Sequence, residues 1–301
     1  GLVANYLFND NENVFRDRTR NGFNCTIVST ILSNLVAQYN FDSNGNDSSS
    51  NNNTLTNVNT VTFNTSNYKR GSGAASFNGT NYFEIANDGR FSPDNFTVAL
   101  WIKPVASSPD YQAIASCRNS PSPNLAGWMI YINPSNNLEF WTGNGSDWSS
   151  TGILLNGIGT INTWVHIAFT LSKSTNTVIF YVNGSLQSTI TRIYVNNTKN
   201  NLRIGAGSNE QLAATYHLLN GTLIDDFRFY NKVLSASEIG TVVADSISWN
   251  TYSRNSKPTT SSPSSIGVFL NPDYTVVRQS YLTLDLGPGP GVDIVCPAQD
   301  Y

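Results

Sequence analysis

From Phe77 onward the chain is interrupted every few residues by Gly, Asn, Ser or Pro, and between the interruptions lie short runs of alternating character. They are Phe96–Pro104 (FTVALWIKP), Gly127–Asn133 (GWMIYIN), Asn137–Gly143 (NLEFWTG), Thr163–Ser172 (TWVHIAFTLS), Thr177–Gly184 (TVIFYVNG), Asn201–Gly207 (NLRIGAG) and Thr222–Asn231 (TLIDDFRFYN). A period of two bounded by turn formers is the signature of a strand, because successive strand side chains point to opposite faces. In Thr163–Ser172, Val165, Ile167 and Phe169 share one face while Trp164, His166 and Ala168 share the other. Apolar groups on both faces predict a strand inside a layered structure. Many short strands with little helix predict an all-β antiparallel sandwich or jelly roll. The one predicted helix is Ser235–Val243, with a Ser cap, Glu238 three residues later, and apolar residues after it.

Composition agrees and excludes several functions. Charged residues are only 12% of 301, and the polar remainder is dominated by Asn, Ser and Thr, which favour turns over helices. A net charge of -3 without a basic stripe excludes nucleic acid as a partner. No run approaches the roughly 18 apolar residues needed to span a bilayer, so membrane insertion is not expected. Gly1 in place of Met points to processing or to a piece of a longer chain, and a cleaved secretory signal fits.

Three cysteines, Cys25, Cys117 and Cys296, lie far apart without metal-like spacing. An odd count allows at most one internal bridge. Cys25 with Cys296 is the candidate pair, and three buried free thiols are the alternative. Ten N-x-Ser/Thr sequons stand at Asn24, Asn46, Asn52, Asn64, Asn78, Asn95, Asn144, Asn183, Asn196 and Asn220. With 41 Asn in the chain and Ser plus Thr at about a fifth, chance alone gives roughly eight or nine, so the sequons are weak evidence of glycosylation.

The chain also opens twice. Leu2–Asn9 (LVANYLFN) and Leu35–Asp42 (LVAQYNFD) share a Leu-Val-Ala-x-Tyr-x-Phe pattern, each followed by an Asn/Asp-rich run. After Val243 come a Pro/Ser/Thr segment (Arg254–Gly267) and one or two strand-like runs in Tyr274–Gly291. The expected organisation is a partial repeat at 1–34, a main module at 35–243 and a strand-bearing tail at 244–301. The two ends together are expected to form a small β subdomain.

From Leu35 to Val243 the order of motifs resembles the laminin-G-like domains of the concanavalin A-like lectin/glucanase superfamily. The matching signatures are Leu35–Asn57, the Gly-rich Gly71–Ile85 (GSGAASFNGTNYFEI), and then FTVALWIKP, TWVHIAFTLS, VIFYVNGSL and GTLIDDFRFYNKVLSASEI in the family's order. The resemblance implies a jelly-roll sandwich. It also implies a structural calcium at the rim where the Asp42–Asp47 loop approaches Asp225 and Asp226. Such a loop can supply the oxygen ligands a hard cation needs, and the expected set is Asp42, Asn44, Asp47, Asp225 and Asp226. The alternative is that these residues only form turns.

Catalysis is not expected. Glycosidases flank the scissile bond with paired carboxylates, whereas Asp225 and Asp226 are adjacent and so read as pointing to opposite faces, and Glu84 and Asp88 run out into a loop. His166 reads as a packed strand residue, and His217 has no partner visible in sequence. Glycan recognition fits better, by stacking on exposed aromatic rings with polar groups for the hydroxyls. Trp101, Trp128 and Trp164 read as core. Trp148 lies in what reads as a polar loop with Asn144 and Asp147, Trp141 stands just before it, and Tyr111 and Arg118 belong to another apparent loop. The alternative for each is a small hydrophobic cluster under a loop. The expectation is therefore a non-enzymatic recognition or adhesion module for a glycan or glycoprotein, at an extracellular, cell or virion surface. The competing expectation is a structural assembly protein whose terminal segments dock neighbouring copies by strand addition.

Overall fold

The computed structural model describes residues 34–244, apart from 106, 121–123, 159–161 and 208–215, together with the backbone of three short strands nearer the start. Two compact units divide the chain: Leu35–Tyr252, and the ends Gly1–Asn34 with Ser253–Tyr301. In the latter, β1 (Tyr6–Leu7), β2 (Val14–Asp17) and β3 (Cys25–Thr26) pair antiparallel, Tyr6 opposite Asp17 and Phe15 opposite Cys25. The tail from residue 245, with Cys296, lies outside the described residues. So does Asn24, and the expected Cys25–Cys296 bridge falls there too.

The larger unit runs β4 (Leu35–Tyr39), β5 (Thr56–Val58), β6 (Thr62–Asn64), β7 (Ala74–Ser76), β8 (Tyr82–Ile85), β9 (Asn95–Lys103), β10 (Gln112–Asn119), β11 (Ala126–Ile132), β12 (Leu138–Gly143), β13 (Trp148–Ser150), β14 (Val165–Ser172), β15 (Thr177–Val182), β16 (Ser185–Thr191), β17 (Leu202–Ile204) and β18 (Leu223–Tyr230). Helix α1 (Ala236–Ala244) is its last described element. One antiparallel sheet has the order β13-β12-β11-β10-β17-β8-β5, and the other β16-β15-β14-β9-β18-β7-β6 with β4 also paired to β18. The result is an all-β jelly-roll sandwich with one short helix.

Alternation decides what fills it. Phe96, Val98, Leu100 and Ile102 of β9, Val165, Ile167 and Phe169 of β14, and Ile130, Leu138 and Phe140 of the opposing sheet are buried in one core. Phe140 stacks on Phe169 at 4.9 Å across the two sheets, and Phe169 on Phe180 at 4.8 Å. Burying one such side chain contributes about 1.5–3 kcal/mol. The other face of β9 and β14 is buried as well, at Ala99, Trp101, His166 and Ala168. Over it Thr97 Oγ1 donates to the carbonyl of Lys232 at 2.6 Å and accepts from the Leu234 amide at 3.0 Å, and α1 buries Ile239 and Val242. The Ser235–Glu238 capping box forms reciprocally: the Glu238 amide donates to Ser235 Oγ at 3.3 Å, and the Ser235 amide to Glu238 Oε2 at 2.8 Å.

Three strands depart from the sequence reading. β10 occupies a stretch read as a polar loop; its Ala, Ser and Cys side chains are small and weakly patterned, yet Ala113–Cys117 are buried, Ile114, Ala115 and Cys117 in the inter-sheet core and Ala113 against Met129 and Tyr131. Trp148 likewise begins β13 instead of standing in a loop. β16 is an edge strand, mostly exposed, with no apolar face to announce it.

Candidate functional site

The outward face of the seven-stranded sheet carries an aromatic cleft. On β12, Phe140 turns into the core, so Glu139 and Trp141 turn outward. The hairpin to β13 is tied by Asn144, whose Oδ1 accepts from the amides of Ser146 at 2.9 Å and Asp147 at 2.7 Å, while Asp147 Oδ1 accepts from the Trp148 amide at 2.8 Å. Pairing of Gly143 with Trp148 then places the Trp148 indole on the same side as Trp141. β11 adds Met129 and Tyr131, β10 adds Arg118, and Tyr111 and Tyr216 complete a cleft of about 150 Å³.

Several contacts fix the rings. The Arg118 guanidinium lies 4.4 Å from the Trp148 centroid, a cation–π contact. Its Nη1 donates to Tyr131 Oη at 3.4 Å. Tyr111 meets Trp141 edge-on at 6.4 Å and Tyr216 at 6.0 Å. Beneath them Glu139, only 8% exposed, accepts from Trp141 Nε1 at 2.8 Å, Asn133 Nδ2 at 2.6 Å and Ser150 Oγ at 3.2 Å. Burial, and then the charge of Glu139, hold the Tyr111 phenol above its ordinary pKa, so it stays a donor at neutral pH. Half-buried rings with phenol hydroxyls beside them and a guanidinium over one of them can accept a ligand that is itself part apolar and part hydroxylated.

Trp148, Trp141, Tyr111 and Arg118 are thus brought together from two places in the chain, the β12–β13 hairpin and the β10 segment. Asn144 and Asp147 stand next to them as the turn that aims Trp148. Tyr111 and Arg118 do not belong to a polar loop, because Arg118 is a residue of β10 and Tyr111 immediately precedes it. Met129, Tyr131, Glu139 and Tyr216 were not singled out in the sequence. The alternation of GWMIYIN, and Glu139 two residues before Trp141, are the signals that carried them.

The second candidate region is the rim joining β4, the loop after it and β18. Here the carboxylates are largely occupied. Asp47 accepts from the amides of Gln38 at 3.0 Å, Ser49 at 2.8 Å and Asn53 at 2.8 Å, and from Ser49 Oγ at 2.8 Å. Asn44 Oδ1 accepts from the Asn46 amide at 2.9 Å, and Asp42 accepts from the amide and hydroxyl of Ser72. Asp226 pairs with Arg70 and, at 2.8 Å, with Arg228. Asp225 and Asp226 do not point to opposite faces: a bulge between Asp225 and Arg228, with Asp226 at φ 47°, lets Arg70 bind both, its amide donating to Asp225 Oδ2 at 2.8 Å. Asp225 Oδ1 is buried with no hydrogen-bond partner among the described residues. Burial, reinforced by the charges of Asp226 and Asp42, raises the Asp225 pKa to about 7 against the two amides that bind its other oxygen. Of the expected ligand set, Asp42, Asn44, Asp47 and Asp226 already serve other groups, and Asp225 keeps one oxygen without such a contact. Among the described residues no three His, Cys, Asp or Glu side chains form a metal cluster.

The remaining candidates lie outside the cleft and outside the carboxylate cluster of the rim. His166 is 1% exposed and meets Trp101 edge-on at 5.2 Å. Trp101 and Trp128 are buried, whereas Trp164 is half-buried, its indole donating to Asn67 Oδ1 at 3.0 Å. Asp88 pairs with exposed Arg90, and Glu84 with Arg203 at 3.0 Å, so they do not form a carboxylate pair. His217 lies 5.7 Å from Tyr82. Cys117 is a buried free thiol. Of the sequons, Asn46, Asn52, Asn78, Asn95, Asn183 and Asn220 are exposed, and Asn64, Asn144 and Asn196 half-buried.

Residues 77–240 match the laminin-G model of the concanavalin A-like lectin/glucanases superfamily, more than half of the chain. No curated protein matches the sequence. Among solved structures, domain 4 of AbnA, a GH43 extracellular arabinanase from Geobacillus stearothermophilus, in complex with arabinotriose, is similar at 21% identity over 70% of this chain and 98% of that one, with a TM-score of 0.55. The binding domain of Paraclostridial Mosquitocidal Protein 1 is similar at 19% identity, 70% and 52% coverage and a TM-score of 0.55. The binding domain of botulinum neurotoxin DC, in complex with rat synaptotagmin II, is similar at 16% identity, 71% and 52% coverage and a TM-score of 0.53. This chain thus spans about half the length of the two toxin domains. At these identities the likeness is one of fold.

Proposed function

This chain belongs to the concanavalin A-like lectin/glucanase superfamily, and from that premise we propose that it is a non-catalytic recognition module that binds a glycan, free or on a glycoprotein, at an extracellular or particle surface. One observation carries the reading: the half-buried rings of Trp141, Trp148, Tyr111 and Tyr216 line one surface cleft, with buried Tyr131 beneath them and the Arg118 guanidinium over Trp148. Sugar rings offer apolar C–H faces for stacking and hydroxyls for polar edges, so ring and donor chemistry match. The arabinotriose complex of the arabinanase domain and the receptor complex of the neurotoxin domain support a binding role for a sandwich of this kind. The separation of Asp225 and Asp226 from the cleft, and their burial among Arg70 and Arg228, supports a role without glycosidic chemistry.

A hard cation at the rim is part of the proposal. Asp225 would hold it with Asp42 beside it, and backbone carbonyls and water would complete the six to eight oxygens that calcium takes. The cation would relieve the buried charge and stiffen the junction of β4 and β18, with no part in chemistry.

The test is a glycan array with the full chain and with Trp148→Ala. The parent is expected to bind a defined set of glycans and the variant to lose them while keeping its melting temperature within a few degrees. Equal array profiles for both would overturn the cleft as the site.

A further inference from the structure

The aromatic cleft stands at one end of a longer line. Pairing registers place Ser150, Trp141, Met129, Ser116, Arg203, Glu84 and Thr56 directly opposite one another across all seven strands of the sheet. Core-facing neighbours alternate with them, as Phe140, Cys117, Leu202, Ile204 and Phe83 show, so the whole row lies on the outward face. Three interstrand spacings, about 14 Å, separate Trp141 from Arg203 along it.

At the far end a second aromatic and polar platform is built. The Arg203 guanidinium lies 4.7 Å from the Tyr82 centroid and its Nε pairs with Glu84 at 3.0 Å. Its Nη1 donates to the carbonyl of Gly207 at 2.9 Å, which fixes the guanidinium over the tyrosine. Arg203 and Glu84 are each 24% exposed, and Tyr82 is half-buried. Both charged groups reach solvent, unlike the middle of the row, where Met129 and Ser116 are buried.

One dipeptide joins the two ends. The Tyr216 carbonyl accepts from the Ala113 amide of β10 at 2.9 Å, and the Leu218 amide donates to the Gly205 carbonyl just past β17 at 2.9 Å. Between these anchors the Tyr216 ring turns to Tyr111 and Tyr131, both at 6.0 Å, while the His217 ring turns to Tyr82 at 5.7 Å. Consecutive residues therefore contribute one ring to each end.

We infer that Tyr82, Arg203, Glu84 and His217 form a second subsite for the same ligand, which is an oligosaccharide lying across the strands and not a single sugar. This rests on the glycan reading of the cleft. A single ring cannot touch Trp141 and Tyr82 together, whereas a chain of several sugars spans the row. The Arg203–Glu84 pair offers both a donor and an acceptor to hydroxyls, and the Tyr82 and His217 rings back the guanidinium that makes these contacts.

The experiment is calorimetric titration of the full chain with two size ladders, arabino-oligosaccharides and cello-oligosaccharides from mono- to hexasaccharide, alongside a glycan array. In the ladder that binds, parent affinity is expected to rise about tenfold or more once the chain is long enough to reach Arg203 and Glu84, the scale of one added hydrogen bond to a charged group. Tyr82→Ala, and separately Arg203→Gln, are expected to erase that rise and leave the affinity for the shortest binding sugar unchanged. Trp148→Ala is expected to weaken every length. Melting curves check that each variant is folded, and Arg203→Gln, on a side chain that leaves the core intact, serves if Tyr82→Ala is not. Affinity flat with chain length, or a rise that survives both variants, would overturn the second subsite while leaving the cleft in place. Binding to no glycan on the array or in either ladder would overturn both.

Discussion

The indole N–H of Trp141 donates to the carboxylate of Glu139 at 2.8 Å, so a ring that stacks at the surface is held by a charge almost wholly beneath it. The same carboxylate binds Asn133 on one side and Ser150 on the other, which joins the floors of β11, β12 and β13. Glu139→Gln keeps the size but replaces one acceptor with a donor facing other donors. The expected result is a loss of about 1–2 kcal/mol of stability and several-fold weaker glycan binding, read by chemical denaturation and titration.

Calcium is expected to raise the melting temperature and chelator to reverse it, because a ligand that binds only the folded state stabilises by mass action. Asp225→Asn removes the buried negative charge and is expected to abolish the calcium response. A melting temperature indifferent to millimolar calcium and to chelator would refute the proposed rim cation.

Buried His166 makes the sandwich sensitive to acid. Burial first, then the positive charges of Arg70 and Arg228, lower its pKa to about 3, and Lys69 stacked over neighbouring Trp101 adds a further cation nearby. The unfolded chain takes up this proton near pH 6.5 and the folded one does not, so unfolding binds a proton between the two values. Stability is thus expected to fall by about 1.4 kcal/mol per unit as pH drops from about 6.5 toward 3, from this group alone. His166→Gln should flatten that part of the stability profile by one proton, measured by denaturation at pH 7, 6, 5 and 4.

Phe169 joins the two sheets, between Phe140 at 4.9 Å and Phe180 at 4.8 Å. Phe169→Ala leaves a cavity that β-sheet neighbours cannot collapse into, and a loss of about 3–5 kcal/mol is expected in urea denaturation. A loss under 1 kcal/mol would mean that the aromatic column does not carry the inter-sheet packing.

The sequence displayed its sandwich wherever one face of a strand had to be apolar. FTVALWIKP, TWVHIAFTLS and TLIDDFRFYN became β9, β14 and β18, and the Ser235–Glu238 box opened α1. It concealed β10, whose small Ala and Cys side chains are buried in the inter-sheet core and against Met129 and Tyr131. Trp148 and Trp141 were visible as aromatics among polar residues. That they face Tyr111 and Arg118 was not, since this depends on which strands are neighbours. The same holds more strongly for Tyr82 and Arg203, which belong to one line with Trp141 only through the pairing register. At the rim, alternation predicted that Asp225 and Asp226 diverge, and a single bulge residue at positive φ reversed it.

Arg70 has a mechanical consequence. While pairing with Asp226 on β18, it donates through Nη2 to the carbonyls of Val242 at 2.6 Å and Val243 at 2.9 Å, which are among the last of α1 and otherwise have no acceptor role within the helix. Tension applied to the chain at Ala244 therefore does not peel the helix from its frayed end. It loads a guanidinium clasp anchored on β18 together with the buried Ile239 and Val242, so Arg70→Ala is expected to lower the force at which α1 detaches.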